Sequence, residues 1–202
     1  MITVVGIGSL GSKTTTALLK LGIDHLQIID FDVVEAKNIG PQILYDYSQI
    51  GLYKTVAAKQ TISKLYPQVQ ITTVQTVFEA RSGMEFLKFS DLVLDCSDNL
   101  QTRLCVDTVA YAAKKPWIYA GIKGSAGQIM LFDYKNYSQT CHRFETLFGS
   151  SIPTIEAVND PETTSKIAQI QADFAFEYLH FDSIKSANLV IVMPGKVLRL
   201  RV

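Results

Sequence analysis

The chain has 202 residues, of which 48% are hydrophobic and 19% are charged, and its formal net charge at pH 7 is +0. This composition predicts one packed globular domain over residues 1–202 and excludes a disordered chain. The balanced charge argues against nucleic-acid binding, and no apolar run reaches the ~20 residues that a membrane span needs.

A glycine-rich loop directly follows the first predicted strand. The loop reads Gly6-x-Gly8-x-x-Gly11, and the strand after the next helix ends in Asp30. Glycines let the backbone approach a phosphate, and the following helix offers it free N–H groups and a positive dipole. An acidic residue about 20 positions further on can accept a hydrogen bond from a ribose hydroxyl. The pattern predicts a nucleotide site without indicating which nucleotide it binds.

Strands alternate with helices along the first 120 residues and then follow one another directly. Predicted strands lie at about 2–7, 26–30, 69–76, 91–95, 117–120, 127–133, 188–193 and 196–201, and helices at about 9–21, 46–51, 52–65, 79–88, 99–113, 143–147 and 164–180. The pattern predicts an α/β, Rossmann-like, doubly wound and mainly parallel sheet with antiparallel C-terminal strands. The last two strands form a hairpin around Pro194-Gly195, and residues 149–163 form a loop that crosses one face.

Four further motifs are expected where the parallel strands end, which is the ligand side of such a sheet. They are Asp30-Phe31-Asp32 with Asn38 and Gln42 downstream, Ile50-Gly51-x-x-Lys54, Asp95-Cys96-Ser97-Asp98-Asn99-x-x-x-Arg103, and Gly121-Ile122-Lys123. In this order and spacing they resemble the ubiquitin-activating-enzyme superfamily. The nearest pattern is that of the bacterial adenylyltransferases of thiamine and molybdopterin biosynthesis, and it covers nearly the whole chain. The resemblance implies an ATP-dependent adenylyltransferase that converts a carboxylate into an acyl adenylate and releases pyrophosphate.

The resemblance also implies a set of ATP-binding residues. They are Gly6, Gly8, Gly11, Asp30, Asp32, Asn38, Gln42, Lys54, Ser97 and Asp98. Gly8 and Gly11 are expected against the phosphates, and Asp30 at the ribose. Asn38 and Lys54 are expected at phosphate oxygens.

Lys54, Asp98 and Arg103 are the residues expected to carry catalysis. Charge moves onto pyrophosphate as it leaves, and Lys54 together with an Mg²⁺ held by Asp98 would stabilise that transition state. Arg103 is expected to brace the site. Structural alternatives stay open, since Asp98 could cap a helix, Lys54 could be solvated, and Arg103 could pair with a structural acid.

The cysteines differ from those of the sulfur-carrier enzymes in the superfamily. Where those enzymes begin a zinc site with CxxC, this chain reads Cys-His-Arg-Phe from Cys141, and the sequence ends at Val202, where the second pair would follow. A structural zinc needs four ligands, so none is predicted. The crossing loop has no cysteine, and Cys96 and Cys105 are expected to be buried and inert. The acyl group is therefore expected to pass to the thiol of a separate acceptor protein. The three cysteines are scattered and odd in number, which argues against a disulfide framework and favours the reducing cytoplasm.

Phosphate-binding arginines are the second difference. Pro41 stands where relatives have an arginine, and an N-terminal helix that carries another is absent from this sequence. Arg143, Lys123 and Arg81 are candidate replacements. The loss of one such contact can cost about a hundredfold in rate, which keeps a non-catalytic nucleotide-binding module open as an alternative. The glycine loop also fits an NAD-dependent oxidoreductase, although such a site needs no magnesium-binding aspartate.

The acyl substrate is expected beside Gly121, Ile122 and Lys123. Lys123 would meet a carboxylate or a phosphate, or it could be a solvated loop residue. A compact chain without zinc or its own thiol resembles the methanogen homologue that adenylates guanylylpyridinol for the iron-guanylylpyridinol cofactor of [Fe]-hydrogenase. The alternative substrate is the C-terminal glycine of a ubiquitin-like sulfur carrier. The segment 167–179 is apolar around its circumference, which predicts either a homodimer contact or a helix buried within one subunit.

Overall fold

The structure, a computed structural model, describes residues 1–136, 142–149, 160–182, 184 and 188–202. The strands are β1 (Ile2–Val5), β2 (His25–Ile29), β3 (Gln70–Val74), β4 (Leu92–Asp95), β5 (Pro116–Lys123), β6 (Ala126–Asp133), β7 (Leu189–Met193) and β8 (Lys196–Leu200). The helices are α1 (Ser9–Lys20), α2 (Lys54–Leu65), α3 (Ala80–Phe86), α4 (Leu100–Ala113), α5 (Phe144–Phe148) and α6 (Pro161–Phe181), with short 3₁₀ helices at Ala36–Asn38 and Tyr47–Gln49. The predicted order of strands and helices is confirmed.

The eight strands form one sheet in the order β3-β2-β1-β4-β5-β6-β7-β8. The pairs from β3 to β5 are parallel, and the pairs from β5 to β8 are antiparallel. The predicted fold class is confirmed, as is the hairpin, whose Gly195 has a φ of +69°. The chain winds outward in opposite directions from β1 and β4, and ligands bind at such a switch point in open α/β sheets.

Helices cover both faces of the sheet. The strands β1 and β4 are buried at every position, because each face packs against helices. One apolar cluster packs α1, α2 and α6 against the first face, and a second packs α3, α4 and α5 against the other. Within the described ranges, no helix has the combined length and apolarity that a membrane crossing requires.

The helix α6 is packed within the subunit, where it contacts α1, β5 and β6. Its residues Ile167, Phe174 and Tyr178 are each at most 2% exposed. The structure therefore supports burial within one subunit as the reason for its apolar circumference, and this helix does not indicate a homodimer. It begins three residues earlier than predicted because Asp160 caps it by accepting a hydrogen bond from the Thr163 N–H at 2.7 Å. Most of the predicted crossing loop lies outside the described residues.

Candidate active site

A cleft of about 470 Å³ opens where β2, β1, β4 and β5 end. The predicted site residues that line it are Gly6, Gly8, Asp30, Asp32, Gln42, Lys54, Ser97, Asp98, Arg103, Ile122 and Lys123. Its lining also includes residues that the sequence reasoning missed, namely Ser9, Leu10, Phe31, Thr76, Val77, Phe78, Thr102 and Thr164. Residues from four distant parts of the sequence thus share one cleft, because parallel strands bring their carboxyl ends to one edge of the sheet.

The three glycines of the loop have different roles. Gly6 has a φ of +88°, and a Cβ on it would lie 3.0 Å from the Cys96 carbonyl oxygen. Gly8 lines the cleft, and a Cβ there would meet nothing within 4 Å. Gly11 does not line the cleft, since its missing Cβ would lie 2.1 Å from the Gly6 carbonyl oxygen. The missing side chain of Gly11 lets the helix pack closely against the loop. Its predicted phosphate contact, which its N–H in the first turn of α1 would make, stays a prediction.

The first turn of α1 is suited to bind an anion. It has neither a side-chain cap nor an acidic residue, and it begins directly after Gly8. The first N–H groups of a helix have no partner within the helix, and their partial positive charge favours an anion. The cleft therefore contains a backbone anion site at the end of β1.

Asp30 connects the end of β2 to this loop. Its carboxylate accepts hydrogen bonds from the main-chain N–H groups of Ile7 and Asp32, both at 2.8 Å. Burial raises the pKa of Asp30, while the two N–H donors act in the opposite direction. The carboxylate is thereby fixed in the cleft lining, and its predicted contact with the ribose stays a prediction.

Lys54 is a buried cation at the start of α2. Its side chain is 8% exposed, and its Nζ lies 2.7 Å from Asp32 Oδ2, whereas the Asp32 side chain is 48% exposed. The Lys54 N–H also donates to the Asp32 carbonyl oxygen at 2.8 Å. The alternative that Lys54 is a solvated helix residue is excluded, because a lysine is rarely buried without a specific partner.

Asp98 is exposed in the cleft lining and does not cap α4. Asn99 is the cap, since its side chain accepts a hydrogen bond from the Thr102 N–H at 2.8 Å. No group of three or more His, Cys, Asp or Glu side chains that could hold a metal occurs among the described residues. A hard cation such as Mg²⁺ commonly uses one or two carboxylates together with phosphate and water oxygens. The single exposed carboxylate of Asp98 fits that kind of site.

A buried ion pair lies beneath this loop, and sequence reasoning did not single out its acid. Asp95 Oδ1 accepts a hydrogen bond from the Ser97 N–H at 2.9 Å, and Asp95 Oδ2 lies 3.9 Å from Arg103 Nε. Burial raises the pKa of Asp95 to about 6, although the Arg103 charge opposes this. Arg103 Nη2 donates to the Ser97 carbonyl oxygen at 3.0 Å, and its guanidinium lies 5.1 Å from the centroid of the Tyr119 ring. The sequence feature that could have identified Asp95 is a charged residue at the end of an otherwise apolar strand.

Asn38 and Gly121 do not line the cleft. Asn38 is 6% exposed, and its side-chain oxygen accepts a hydrogen bond from the Glu35 N–H at 2.8 Å. It closes a local 3₁₀ turn, and its predicted phosphate contact stays a prediction. A Cβ on Gly121 would lie 2.1 Å from the Tyr119 hydroxyl oxygen. Gly121 makes room for that ring, and its predicted substrate contact likewise stays a prediction.

Only one of the three candidate replacement cations lines the cleft. Lys123 is exposed there at the end of β5. Arg143 instead pairs with Asp107 at 2.7 Å, and neither Arg143 nor Arg81 lines the cleft. Lys123 is the candidate that the geometry retains.

The described cysteines are not positioned as nucleophiles. Cys96 is buried, which raises its pKa, and Cys105 is half-buried on α4, where burial also raises its pKa. A raised pKa leaves little thiolate at neutral pH. Cys141 lies outside the described residues, so the absence of a structural zinc stays a prediction.

Comparison of the sequence with known proteins identifies the family. The model of the ThiF family matches residues 1–182. The chain is 33% identical over 197 residues to the adenylyltransferase and sulfurtransferase MOCS3 of Dictyostelium discoideum, which covers 98% of this chain and 45% of that protein. It is 30% identical over 193 residues to the molybdopterin-synthase adenylyltransferase of Salmonella typhimurium, covering 94% of this chain and 77% of that protein.

Solved structures show the same fold at lower identity. The structure of E. coli MccB with ATP matches with a TM-score of 0.81 at 16% identity, over 99% of this chain and 63% of that chain. The structure of PaaA matches with a TM-score of 0.79 at 19% identity, over 98% of this chain and 63% of that chain. These two likenesses establish the fold alone, and the chain spans less than two thirds of either solved chain.

Proposed function

Because the chain belongs to the ThiF family, we propose that it is an ATP-dependent adenylyltransferase that activates a substrate carboxylate. The observation that carries the proposal is the cleft, in which the buried Lys54 and the exposed Asp98 lie beside an uncapped helix start. The names of the curated relatives, which include a molybdopterin-synthase adenylyltransferase, support the same activity.

Each of the cleft residues would have its own role in the reaction. A carboxylate oxygen of the substrate attacks the α-phosphorus of ATP, and the bond from that phosphorus to the pyrophosphate oxygen breaks. The N–H groups after Gly8 would hold phosphate oxygens, and Asp30 would accept a hydrogen bond from the ribose. Lys54 would exchange part of its interaction with Asp32 for the charge that develops on pyrophosphate. Asp98 would hold Mg²⁺, which supplies further positive charge to the leaving group.

A buried polar atom in the cleft supports nucleotide binding. Gln42 Oε1 has no hydrogen-bond partner among the described residues, and Gln42 lines the cleft. A buried polar atom left unpaired costs about 1–3 kcal/mol. A ligand that pairs with Gln42 Oε1 recovers that free energy, which supports the predicted role of Gln42 in binding ATP. The role of Ser97 in binding ATP or its metal stays a prediction.

For the acyl substrate, a small carboxylate such as guanylylpyridinol is our first candidate. Ile122 and the exposed Lys123 line the end of the cleft at β5, and Lys123 would pair with an acidic group of the substrate. The second candidate is the C-terminal glycine of a ubiquitin-like sulfur carrier, which the molybdopterin-synthase relative favours. In either case a separate protein would supply the accepting thiol, and a cytoplasmic location stays a prediction.

A homodimer is proposed on a surface other than α6. Large apolar side chains are exposed along the segment that leads from β2 to α2, and they are Phe31, Val33, Ile43, Tyr47, Ile50, Leu52 and Tyr53. A cluster of exposed apolar side chains is typical of an interaction surface. Sedimentation at micromolar concentration should show a dimer that Tyr47→Asp weakens, and a monomer at that concentration would contradict the proposal.

ATP–pyrophosphate isotope exchange tests the function. The wild-type chain should exchange label with guanylylpyridinol, and Asp98→Asn should lose exchange by about a hundredfold or more. Asp173→Asn is the matched control, because Asp173 is an exposed carboxylate on α6 outside the cleft lining. Exchange with a Gly-Gly carrier protein alone would select the second substrate. ATP binding without exchange with either substrate would contradict catalysis and favour the non-catalytic module.

A further inference from the structure

We propose that Asp95 and Tyr119 are positioning residues that hold Arg103, and through it the backbone that carries Asp98. The inference rests on the proposed function, in which Asp98 holds the magnesium ion. It assigns a role to a buried acid and a buried ring that the proposed reaction does not otherwise use.

The main chain of Ser97 is held at both of its polar groups. Its N–H donates to Asp95 Oδ1 at 2.9 Å, and its carbonyl oxygen accepts from Arg103 Nη2 at 3.0 Å. Asp95 ends β4 and Arg103 lies in the first turns of α4, so the two bonds join the strand to the helix across the loop. Because the Ser97 carbonyl belongs to the peptide bond that precedes Asp98, these bonds set where the Asp98 backbone begins.

Tyr119 supports Arg103 from the next strand. Its ring is 2% exposed, and the Arg103 guanidinium lies 5.1 Å from the ring centroid. The Tyr119 hydroxyl accepts a hydrogen bond from Gln128 Nε2 at 3.2 Å, and the missing side chain of Gly121 leaves room for that hydroxyl. A cation over an aromatic face is attracted by the ring's charge distribution. The guanidinium is thus fixed by a ring, a carbonyl oxygen and a carboxylate.

The ion pair itself is incomplete, which separates it from an ordinary structural pair. Asp95 Oδ2 and Arg103 Nε are both buried and have no hydrogen-bond partner in the described part of the chain, and 3.9 Å separates them. A pair that served stability alone would gain by closing that gap, since buried polar atoms are nearly always hydrogen-bonded. The guanidinium instead lies where Arg103 Nη2 can donate to the Ser97 carbonyl oxygen. This position orders the loop at the expense of a closer contact with Asp95.

Mn²⁺ affinity distinguishes the two possible roles of Asp95 and Tyr119. If these residues only stabilised the fold, their substitution would leave the Mn²⁺ affinity of the folded protein unchanged. Mn²⁺ replaces Mg²⁺ as the probe, and electron paramagnetic resonance measures its binding in the presence of a non-hydrolysable ATP analogue. Asp95→Asn and Tyr119→Leu should weaken Mn²⁺ binding roughly tenfold to a hundredfold, as is usual when a residue that orients a metal ligand is lost. Both variants should lower kcat in the exchange reaction while leaving metal-free ATP affinity within about twofold.

The conservative variant and the control complete the experiment. Tyr119→Phe keeps the ring beneath Arg103, so it should recover most of the binding that Tyr119→Leu loses, and Asp173→Asn should match the wild type. Asp95→Asn and the two Tyr119 variants are independent, so a failure of one to fold leaves the other as the test. Wild-type Mn²⁺ binding that these variants leave unchanged would overturn this inference alone. Absence of nucleotide-dependent Mn²⁺ binding by the wild type would overturn the proposed function and the inference with it.

Discussion

Two aspartate–arginine pairs involve helix α4, which carries Arg103 and Asp107, and the pairs differ in how fully their buried carboxylates are hydrogen-bonded. Asp107 Oδ1 accepts hydrogen bonds from the Tyr134 hydroxyl and from the Phe144 N–H, and Asp107 Oδ2 accepts from Arg143 Nε at 2.7 Å. Asp95 keeps one oxygen without a hydrogen bond, and Arg103 Nε stays 3.9 Å away. The complete pair lies outside the cleft lining, whereas Arg103 of the incomplete pair is part of it.

The difference separates a structural role from a functional one. A fully satisfied polar network rigidifies the elements that it joins, and the Asp107 pair fixes the start of α5 to α4. An unsatisfied buried group costs stability and is retained where another requirement acts on it. We therefore expect changes at Asp107 to alter stability without altering ATP affinity. We expect changes at Asp95 or in the cleft to alter ligand binding and catalysis, whatever their effect on stability.

The largest expected effect is on stability, from Asp107→Asn. Removal of one charge from a buried pair typically costs about 3–5 kcal/mol, and we expect roughly 3 kcal/mol. The lower end applies because the Arg143 side chain is 34% exposed. Urea denaturation measures the change, with Asp173→Asn as the control for loss of an exposed carboxylate. A loss below about 1 kcal/mol would remove the distinction between the two pairs.

The second effect is a pH dependence of the unfolding free energy, caused by Asp95. Burial raises the pKa of Asp95 to about 6 in the folded chain, against about 3.9 for an unfolded aspartate. The folded state holds this proton more tightly, so the contribution to stability is complete below pH about 4 and is lost as the pH rises through about 6. The unfolding free energy of the wild type minus that of Asp95→Asn should therefore fall by roughly 2–3 kcal/mol between pH 4 and 7. A difference that stays constant over this range would show that Asp95 titrates normally.

Local patterns were sufficient to predict much of the fold and the ends of the strands. Alternating strands and helices predicted the element order, and the nucleotide-loop pattern predicted the loop glycines and Asp30. The roles of Lys54 and Asp98 were implied by the resemblance to the ubiquitin-activating-enzyme superfamily. Burial of α6 could not be distinguished from a dimer contact, because an apolar circumference fits either environment.

Close approaches of backbone and side chains are what the sequence did not show at the site. Gly11 and Gly121 were predicted to contact ligands, and the structure adds that each makes room for a nearby atom, namely the Gly6 carbonyl oxygen and the Tyr119 hydroxyl. The pairing of Asp95 with Arg103 depends on how β4 meets α4 in space. Spacing alone identifies such residues without showing what lies opposite them.

A third, smaller effect is expected from Gly121→Ala. The new Cβ would lie 2.1 Å from the Tyr119 hydroxyl oxygen, so the ring must move and disturb the incomplete pair. Overpacking of this kind costs about 1–3 kcal/mol, and we expect about 1–2 kcal/mol here together with weaker Mn²⁺ binding. Thermal denaturation of Gly121→Ala with and without Tyr119→Phe measures the coupling, since removal of the hydroxyl should recover part of the loss. Strictly additive effects would show that the two residues do not interact.

The smallest effect on stability is expected at Gln42. Gln42→Ala removes the unpaired buried Oε1 atom, which stabilises the fold, and also the packing of a half-buried side chain, which destabilises it. Because the two terms oppose each other, the unfolding free energy should change by less than about 1 kcal/mol. ATP affinity should nevertheless fall about threefold to tenfold, because a ligand hydrogen bond is lost. Fluorescence of a labelled ATP analogue measures the affinity. A large loss of stability with unchanged affinity would assign Gln42 to the structural group.

Calorimetric titration with ATP and Mg²⁺ tests the central claim most directly, because it requires no acyl substrate. The wild-type chain should bind ATP, Lys54→Met should bind it at least about tenfold more weakly through loss of a charge-assisted contact, and Asp107→Asn should keep the wild-type affinity at a temperature where it is folded. No binding by the wild type, or equal affinity in wild type and Lys54→Met, would contradict the assignment of this cleft to ATP.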